Sequence, residues 1–367
     1  MQAEPKGDHS YTPMNSLRRR SRALWAGLTL LLILLLAACY PDNPQSTFGV
    51  SGPVAQSQLN LLYWILGAAL FVFVVVGGIL MYITIRYRRR AGDGDPEQIH
   101  GNTPLEIGWT IAPSLVLVVI AVPTVLTVFD NLNSPDPNAM TVDVVGHQWW
   151  FEFKYPHPDG ESTVVTANEL HIPVGEVVNI NLDSKDVLHS FWIPKIAGKV
   201  DLVPGNKNFM WIQADEAGEY LGQCAEFCGE AHALMKFRVV AESRADFDAW
   251  LAGEAAAADE PVDPLAQQGK ALFEGSKAQC WSCHAVTGSD KSRGQTGPNL
   301  THVWSRSHIA AGVIETTQEN LRQWLEDPQS IKQGTIMYRD AKIYTDPDNK
   351  LTDADVAALV AYLQTLD

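Results

Sequence analysis

Cysteine is scarce in this sequence, which has five in 367 residues: Cys39, Cys224, Cys228, Cys280 and Cys283. Each belongs to a short motif, alone or as one of a pair, so none remains for a structural disulfide. Histidine is absent from the two long apolar runs, residues 59–87 and 109–129. These runs therefore have no imidazole with which to hold a haem iron or a copper ion.

Basic residues are in the minority, 27 Lys and Arg against 42 Asp and Glu, which gives a formal net charge of −15. The arginines at 18–20 and 22 belong to a predicted leader, so the mature protein is more acidic still. An acidic surface argues against nucleic-acid binding and suits a basic, soluble partner. A chain of this length can hold two soluble domains in addition to membrane segments.

The N-terminus has the features of a lipoprotein-type signal peptide over residues 1–38. Arginines precede a short apolar run, residues 23–38, whose end Leu36-Ala37-Ala38-Cys39 resembles the bacterial lipoprotein cleavage box. Cleavage there would leave Cys39 as a lipid-bearing N-terminus. An uncleaved membrane helix with an incidental cysteine is the alternative, but the run is short for a span.

The two apolar runs are each long enough to cross a bilayer as a helix, and they predict a transmembrane hairpin within residues 39–137. Arg86 and the arginines at 88–90 lie at the end of the first run, so the connection between the spans should be cytoplasmic. The mature N-terminus and everything after Asp130 then lie outside the cytoplasmic membrane. The export signal independently predicts the same orientation.

The metal chemistry of the chain centres on residues 223–235, QCAEFCGEAHALM, which contain the pattern Cys-x3-Cys-x3-His-x2-Met. The residues of this pattern are Cys224, Cys228, His232 and Met235. Soft sulfur and imidazole ligands suit copper, and a second cysteine would let two sulfurs bridge two metal ions. Two bridged ions need a second imidazole, for which His189 in the text VLHSFWIP is the obvious donor.

Four other interpretations compete with a binuclear copper site. They are a disulfide between Cys224 and Cys228, a zinc site, a mononuclear blue-copper site, and cysteines that only pack. Zinc has little use for a methionine ligand, and packing leaves the spacing of His232 and Met235 unexplained. The surrounding residues 138–242 contain short β-type runs punctuated by Gly, Pro and Asn, which predict a small β-sandwich or barrel.

The copper stretch, with HSFW upstream, resembles the copper-binding subunit II of the haem-copper cytochrome c oxidases, and the resemblance covers residues 56–367. It implies an all-β cupredoxin domain at residues 138–242 that carries the dinuclear centre called CuA. The implied CuA ligands are His189, Cys224, Glu226, Cys228, His232 and Met235. Glu226 would bind copper through its backbone carbonyl and magnesium through its carboxylate, at the contact with subunit I.

The resemblance also implies roles for two residues outside the copper loop. Trp149 matches the tryptophan through which electrons enter from cytochrome c, although the family's Trp-Tyr-Trp is Trp-Trp-Phe here; core packing is the alternative. Glu106 matches the entrance of a proton path into subunit I, and a solvated carboxylate at a helix start is the alternative. Three further histidines are predicted not to bind metal: His147, His157 and His171.

Residues 253–264, GEAAAADEPVDP, show no apolar period and are predicted to be a linker. In the following domain, residues 265–367, Cys280-Trp281-Ser282-Cys283-His284 is the Cys-x-x-Cys-His pattern of covalent c-type haem attachment. His284 would be the proximal iron ligand. A redox or zinc Cys-x-x-Cys is a weaker alternative, because neither explains the adjoining histidine.

The sixth iron ligand follows by elimination. Met337 is the only methionine after Glu242, and its alternatives are His302 and His308. A His/Met pair raises the reduction potential, as a carrier between a soluble donor and copper needs. Helices are predicted at residues 264–274, 317–325 and 352–366.

These helices indicate the all-α fold of a class I cytochrome c. In that family the Gly-Pro-x-Leu found here at residues 297–300 packs against the proximal histidine, whose ring donates to the proline carbonyl. Tyr338 stands where a proline usually follows the axial methionine.

The order of these parts resembles subunit II of the bacterial caa-type cytochrome c oxidases. The implied fold class is a multidomain membrane protein with a two-helix transmembrane hairpin, an all-β cupredoxin domain and an all-α class I cytochrome c domain. Electrons would pass from an external cytochrome c-type donor to the c haem, then to CuA and to haem a in subunit I.

Oxygen reduction, coupled to proton transfer, would then occur in subunit I, which holds haem a and CuB. The implied location is the bacterial inner membrane, with both soluble domains on its outer face. Two alternatives remain at this point: the CuA-bearing subunit of a nitric oxide reductase, and a membrane-anchored electron shuttle without a catalytic partner.

Overall fold

The computed structural model describes residues 25–31, 33–34, 43–160 and 162–367. Residues 25–31 and 33–34, within the predicted signal peptide, are helical and exposed. The predicted lipid-bearing residue, Cys39, lies outside the described residues, as does most of the predicted signal peptide. Both therefore stay predictions.

Two long apolar helices, α1 (Pro53–Arg86) and α2 (Thr103–Leu132), form the expected hairpin. Both are long and apolar enough to cross a membrane, and their apolar stretches are not buried within the chain. Each helix begins earlier than the predicted span. The start of α2 is capped by the Asn102 side chain, which accepts a hydrogen bond from the Leu105 amide at 3.2 Å.

The first turn of α1 is attached to the β domain. The Ser51 amide donates to the Lys195 carbonyl at 2.7 Å, and the Ala55 amide donates to the Ile196 carbonyl at 3.1 Å. Val54 lies in the core of the β domain. The hairpin therefore meets this domain through backbone contacts and a buried side chain.

The β domain contains two five-stranded sheets, with strand orders β3-β2-β1-β5-β8 and β4-β10-β9-β6-β7. The strands are β1 (Thr141–His147), β2 (Trp150–Pro156), β3 (Thr163–Ala167), β4 (Glu169–Pro173), β5 (Val178–Ser184), β6 (His189–Trp192), β7 (Lys199–Leu202), β8 (Asn208–Ile212), β9 (Gly218–Cys224) and β10 (Lys236–Glu242). The pairs β1–β5 and β4–β10 are parallel, and the other pairs are antiparallel. The cupredoxin-like fold is confirmed.

The core between the two sheets is aromatic. Phe151 and Phe153 on β2 face Phe191 on β6 and Phe237 on β10, and all four are fully buried. The Phe191 and Phe237 rings stack with centroids 4.4 Å apart. Because β6 begins with His189 and β9 ends with Cys224, this packed core positions two predicted metal ligands from different sheet strands.

A helix that the sequence analysis did not predict, α3 (Arg244–Glu254), follows the last strand of the β domain. The Ser243 side chain accepts a hydrogen bond from the Asp246 amide, and Phe247 and Leu251 are buried. Residues 255–263 then form no helix or strand and lead into the next domain.

The C-terminal domain is helical. Its helices are α4 (Pro264–Phe273), α5 (Gln318–Glu326), α6 (Pro328–Ile331), α7 (Ile336–Asp340), α8 (Lys342–Thr345) and α9 (Asp353–Leu363). A two-residue pairing of β11 (His308–Ile309) with β12 (Ile314–Glu315) was not predicted. The side chains of Thr352 and Asp355 form a reciprocal capping box at the start of α9, where the sequence predicts a helix.

Helices α4 and α9 cross closely at Gly269. A β-carbon at this position would overlap the Ala358 carbonyl and lie 2.7 Å from the Tyr362 β-carbon. We therefore expect Gly269→Ala to destabilise the C-terminal domain by about 1–3 kcal/mol, the usual cost of overpacking. The midpoint of thermal unfolding, followed by circular dichroism, measures the effect.

The matched control for this substitution is Gly253→Ala in α3. A β-carbon at Gly253 meets nothing within 4 Å, so alanine there should leave stability unchanged or slightly raised, as its helix propensity predicts. Equal midpoints for the two variants would contradict the close crossing at Gly269.

Candidate metal centre and haem site

Two thiols form the centre of the predicted copper site. The sulfurs of Cys224, at the end of β9, and Cys228, in the following loop, lie 3.7 Å apart as free cysteines. Both side chains are buried. A disulfide would need about 2.05 Å between the sulfurs, whereas a shared metal ion with metal–sulfur bonds of about 2.3 Å accommodates the observed separation.

The remaining predicted ligands surround this pair. The Cys224 sulfur lies 3.9 Å from His189 Nδ1 and 3.3 Å from the Glu226 carbonyl oxygen. The Cys228 sulfur lies 3.6 Å from His232 Nδ1 and 3.9 Å from the Met235 sulfur. The structure thus brings all six predicted residues together. Two thiols, two imidazoles, a thioether and a carbonyl form a donor set that suits copper.

The two thiols differ in acidity because they share one hydrogen bond. The hydrogen bond with Cys228 lowers the pKa of Cys224, against the opposing effect of burial, and His189 lowers it further. The same contact, together with burial, raises the pKa of Cys228. The pair therefore holds one thiolate readily, and a cation is needed to hold a second at the same place.

Asp186 orients the first imidazole. Its carboxylate accepts a hydrogen bond from His189 Nε2 at 2.8 Å, which leaves Nδ1 directed at Cys224. Burial disfavours protonation of His189, but Asp186 and Cys224 outweigh it and raise the pKa of the imidazole. The His189 ring packs against Gly146, where a β-carbon would lie 2.7 Å from the ring.

Trp149, the predicted electron-entry residue, contacts the copper site directly. Its indole Nε1 donates to the Cys228 carbonyl at 3.0 Å, and the Gln148 side-chain amide donates to the same oxygen at 2.8 Å. Trp149 is 7% exposed. The Gln148 backbone amide donates to the Asp186 carboxylate at 2.7 Å. The same carboxylate therefore supports both His189 and the turn between β1 and β2.

The haem-attachment motif lies in a 3-10 turn, Cys280–Ser282, followed by Cys283 and His284. His284 Nδ1 lies 2.8 Å from the Pro298 carbonyl, the contact expected of a proximal ligand whose Nε2 faces iron. Gly297 lies against the ring, with space for no side chain. Burial lowers the pKa of His284, which favours the neutral imidazole that a metal binds.

The three candidates for the sixth iron ligand occupy different places. Met337 is half-buried in α7. His302 Nδ1 lies 2.9 Å from the Asp367 carbonyl oxygen, and its Nε2 lies 3.1 Å from the Ala256 carbonyl oxygen. His308 contacts the β domain, with Nε2 2.6 Å from an Arg238 nitrogen. Both histidines are thus engaged by partners outside a haem site.

Glu106 lies in the first turn of α2 and is exposed. Its carboxylate accepts a hydrogen bond from the Asn102 amide at 3.2 Å, as a capping residue does. The three histidines predicted not to bind metal each lie beside a carboxylate: His147 near Glu152, His157 near Asp159 and His171 near Glu242.

Three residues that support the site were not predicted from the sequence. Asp186 stands three positions before His189, a spacing that offers a weak signal for an orienting carboxylate. Gln148 adjoins Trp149, but nothing in the sequence indicates that its side chain supports the site. Lys332, in the cytochrome domain, gives no sequence signal, because its contact with Trp149 joins residues 183 positions apart.

A buried ionic cluster joins the two soluble domains. Glu169 accepts hydrogen bonds from the Ser307 hydroxyl and, at 3.2 Å, from the His308 amide. His171 lies 4.0 Å from Glu169 and 2.8 Å from Glu242. Burial disfavours the charged form of both Glu169 and His171. Their mutual contact and their other partners outweigh it, so the pKa of Glu169 is lowered and that of His171 is raised.

These shifts give stability a defined pH dependence. His171 stabilises the fold below the pKa of an unfolded histidine, about 6.5, and this contribution is lost as the pH rises through the raised folded pKa. We expect His171→Gln to lower the free energy of unfolding more near pH 6 than near pH 9. His157→Gln, in the turn after β2, is the control. If His171→Gln lowered the free energy of unfolding equally at pH 6 and pH 9, this prediction would be contradicted.

Comparisons with known proteins agree with this architecture. Family models match residues 45–126 (cytochrome c oxidase subunit II, transmembrane domain), 140–243 (cytochrome c oxidase subunit II, periplasmic domain) and 266–367 (cytochrome c). The cytochrome c oxidase subunit 2 of Alkalihalophilus pseudofirmus is 42% identical over 343 residues, which cover 91% of this chain and 94% of the relative. The cytochrome c oxidase subunit 2 of Bacillus sp. (strain PS3) is 40% identical over 356 residues, which cover 92% of this chain and 95% of the relative.

A solved structure is also similar in part. The periplasmic domain of subunit II of the cytochrome oxidase of Bradyrhizobium japonicum is 29% identical, with 32% of this chain and 95% of that chain covered and a TM-score of 0.30.

The fold and the site define a membrane protein with a copper-type cupredoxin domain outside the membrane and a cytochrome c domain attached to it. The chain belongs to the cytochrome c oxidase subunit 2 family, in the caa-type form with a fused C-terminal cytochrome c domain. It is therefore a subunit of a haem-copper oxidase, an oxidoreductase, and associates with subunit I. The predicted family and fold class are confirmed, and the domains imply copper and haem.

Proposed function

We propose that this chain carries a dinuclear copper centre and a covalently bound c haem. Electrons from an external cytochrome c-type donor would reach the c haem, then the copper centre, and then haem a in subunit I for oxygen reduction coupled to proton transfer. The observation that carries the proposal is the convergence of four further donors on two thiols 3.7 Å apart. A single metal ion does not need two thiols, two imidazoles, a thioether and a carbonyl.

The residues that hold the copper site are arranged for small structural change. Asp186 orients His189, and the Cys228 carbonyl is held by Trp149 and Gln148. An electron-transfer site works best when its ligands barely move between oxidation states, and such outer contacts restrain them. The buried aromatic core beneath β6 and β9 adds to this rigidity.

The haem site is proposed to use Cys280 and Cys283 for attachment, His284 as proximal ligand and Met337 as sixth ligand. The contacts of His302 and His308 with other parts of the chain support Met337. The fused cytochrome makes transfer to copper intramolecular, which corresponds to an effective concentration on the order of mM.

Four further features belong to the same proposal. The chain lies in the bacterial inner membrane with its soluble domains outside, because arginines follow α1 directly. Cys39 carries lipid after removal of the signal peptide. The Glu226 carboxylate binds magnesium at the subunit I contact, and Glu106 lies at the entrance of a proton path.

The function is tested on the full chain in its purified oxidase complex by EPR and optical spectroscopy. A seven-line copper hyperfine pattern, from two coppers that share one unpaired electron, is expected beside a low-spin c haem. A four-line copper signal, or zinc without copper, would overturn the dinuclear site. Consumption of oxygen rather than nitric oxide separates an oxidase from a nitric oxide reductase.

A further inference from the structure

One lysine of the cytochrome domain is buried against the copper domain. Lys332 is 4% exposed, and its ammonium donates to the Trp149 carbonyl at 2.5 Å and to the Ala310 carbonyl at 3.4 Å. Among the residues that the structure describes, no carboxylate forms an ion pair with it. An ammonium group held only by backbone carbonyls is costly to bury, and an apolar side chain would fill this space without that cost.

The position of Lys332 connects the two redox sites. Its contact, Trp149, donates through its indole to the Cys228 carbonyl at 3.0 Å. Two hydrogen bonds and one tryptophan thus separate Lys332 from a residue of the copper site. Along the chain, Lys332 precedes Met337 in the loop between α6 and α7, so the same side chain is linked to the haem's proposed sixth ligand.

The rest of this loop follows the same surface. Gly334 adopts a φ of 76° and passes so close to Glu230, in the copper loop, that a β-carbon would lie 2.6 Å from the carboxyl carbon. Ile336, adjacent to Met337, packs against the core of the β domain. The loop therefore contacts the copper domain at two positions after Lys332, and Lys332 itself reaches the Trp149 carbonyl.

A second edge of the contact lies near β11. The Lys236 amide donates to the Ala311 carbonyl at 3.1 Å, and Ala311 packs with Trp150 and Ala167. Lys332 also reaches the Ala310 carbonyl beside this edge, but the bond from Lys236 to Ala311 does not involve the lysine and would keep the domains associated without it. The two edges can therefore be separated by experiment, because loss of Lys332 changes the position of the loop while the other contacts remain.

We propose that Lys332 is a positioning residue that holds the loop preceding Met337 on Trp149, so that the c haem is placed for electron transfer into the copper site. The inference rests on the proposed electron route. In the step that Lys332 serves, one electron leaves the haem iron, which is oxidised, and enters the copper pair, which is reduced. No proton moves, and no bond forms or breaks.

The test uses the full chain in its oxidase complex with Lys332→Met, which removes the donor and keeps the length of the side chain. After rapid photoreduction of the c haem, reoxidation of the haem and reduction of copper are followed together. We expect transfer to slow by about tenfold or more, since a displacement of about 1 Å can cost that much. The spectra of both centres should be unchanged. Lys342→Met, at an exposed lysine of the same domain, should transfer at the wild-type rate.

A second measurement needs no variant. In the wild-type complex, amine-reactive labelling followed by mass spectrometry should modify Lys332 about tenfold more slowly than Lys342, because its ammonium is buried and hydrogen-bonded. Equal labelling of the two lysines would overturn the proposal, as would a wild-type rate of electron transfer in Lys332→Met. A different result would refute the proposed electron route instead: Lys332 is labelled slowly in the wild-type complex, but no electron passes from the haem to copper.

Discussion

Replacement of Cys228 by serine is expected to remove the dinuclear copper signal and leave the c haem intact. The Cys228 sulfur lies within 3.9 Å of three other proposed ligands, the Cys224 sulfur, His232 Nδ1 and the Met235 sulfur. A hydroxyl is a hard, poor copper ligand in its place. Electron delivery to subunit I should fall by more than the roughly 100-fold that loss of an outer contact costs at a metal site.

The matched control for this variant is Cys280→Ser, which removes one haem attachment and leaves the copper loop untouched. EPR and the haem absorbance are recorded on both complexes. Cys228→Ser should lose the seven-line pattern and keep the haem spectrum, whereas Cys280→Ser should retain the copper signal. A seven-line pattern that persists in Cys228→Ser would show that this sulfur does not bridge two coppers.

Replacement of Met337 by leucine is expected to have the second large effect, on the potential of the c haem. A thioether ligand raises the haem potential, and axial ligands together span about 0.8 V, so its loss should lower the potential on the order of 0.2 V. At about 59 mV per tenfold for one electron, reduction of the c haem by the external donor becomes roughly a thousandfold less favourable, and the onward step to copper gains the same factor. Redox titration and the low-spin optical spectrum measure the change.

His302→Gln and His308→Gln are the controls for the axial ligand. The His302 imidazole joins the C-terminus to the linker, and His308 contacts Arg238 of the β domain. Either substitution can lower stability, but neither should shift the haem potential or the spin state. A high-spin haem in one of these variants, with an unchanged Met337→Leu protein, would reassign the sixth ligand to that histidine.

Local patterns in the amino-acid sequence were sufficient to predict most of the proposed copper and haem ligands. Five proposed copper ligands lie within residues 224–235, and three haem-binding residues lie within residues 280–284. Ligands this close along the chain are held together by a single loop or turn, so their spacing carries the chemistry. The capping box at Thr352 and the two apolar helices were predictable for the same reason, because each depends on residues near one another.

Elements that depend on distant contacts were not predictable. Helix α3 is only weakly apolar, and it is stabilised where Phe247 and Leu251 enter the core of the β domain. The β11–β12 pair is two residues long and lies where the cytochrome domain contacts Glu169. Neither element has a hydrophobic pattern strong enough to be predicted from its own residues, so the sequence suggests a loop at both places.

The sequence by itself predicted the ligand types of the two proposed redox sites, the two apolar spans and the order of the domains, because these follow from residue types and short spacings. The tertiary structure decided which distant residues meet them. It placed His189 beside Cys224, Asp186 behind His189, and Lys332 on Trp149. Such contacts arise from the packing of whole sheets and domains, and the energy that forms them is distributed over buried surface that no short stretch of sequence records.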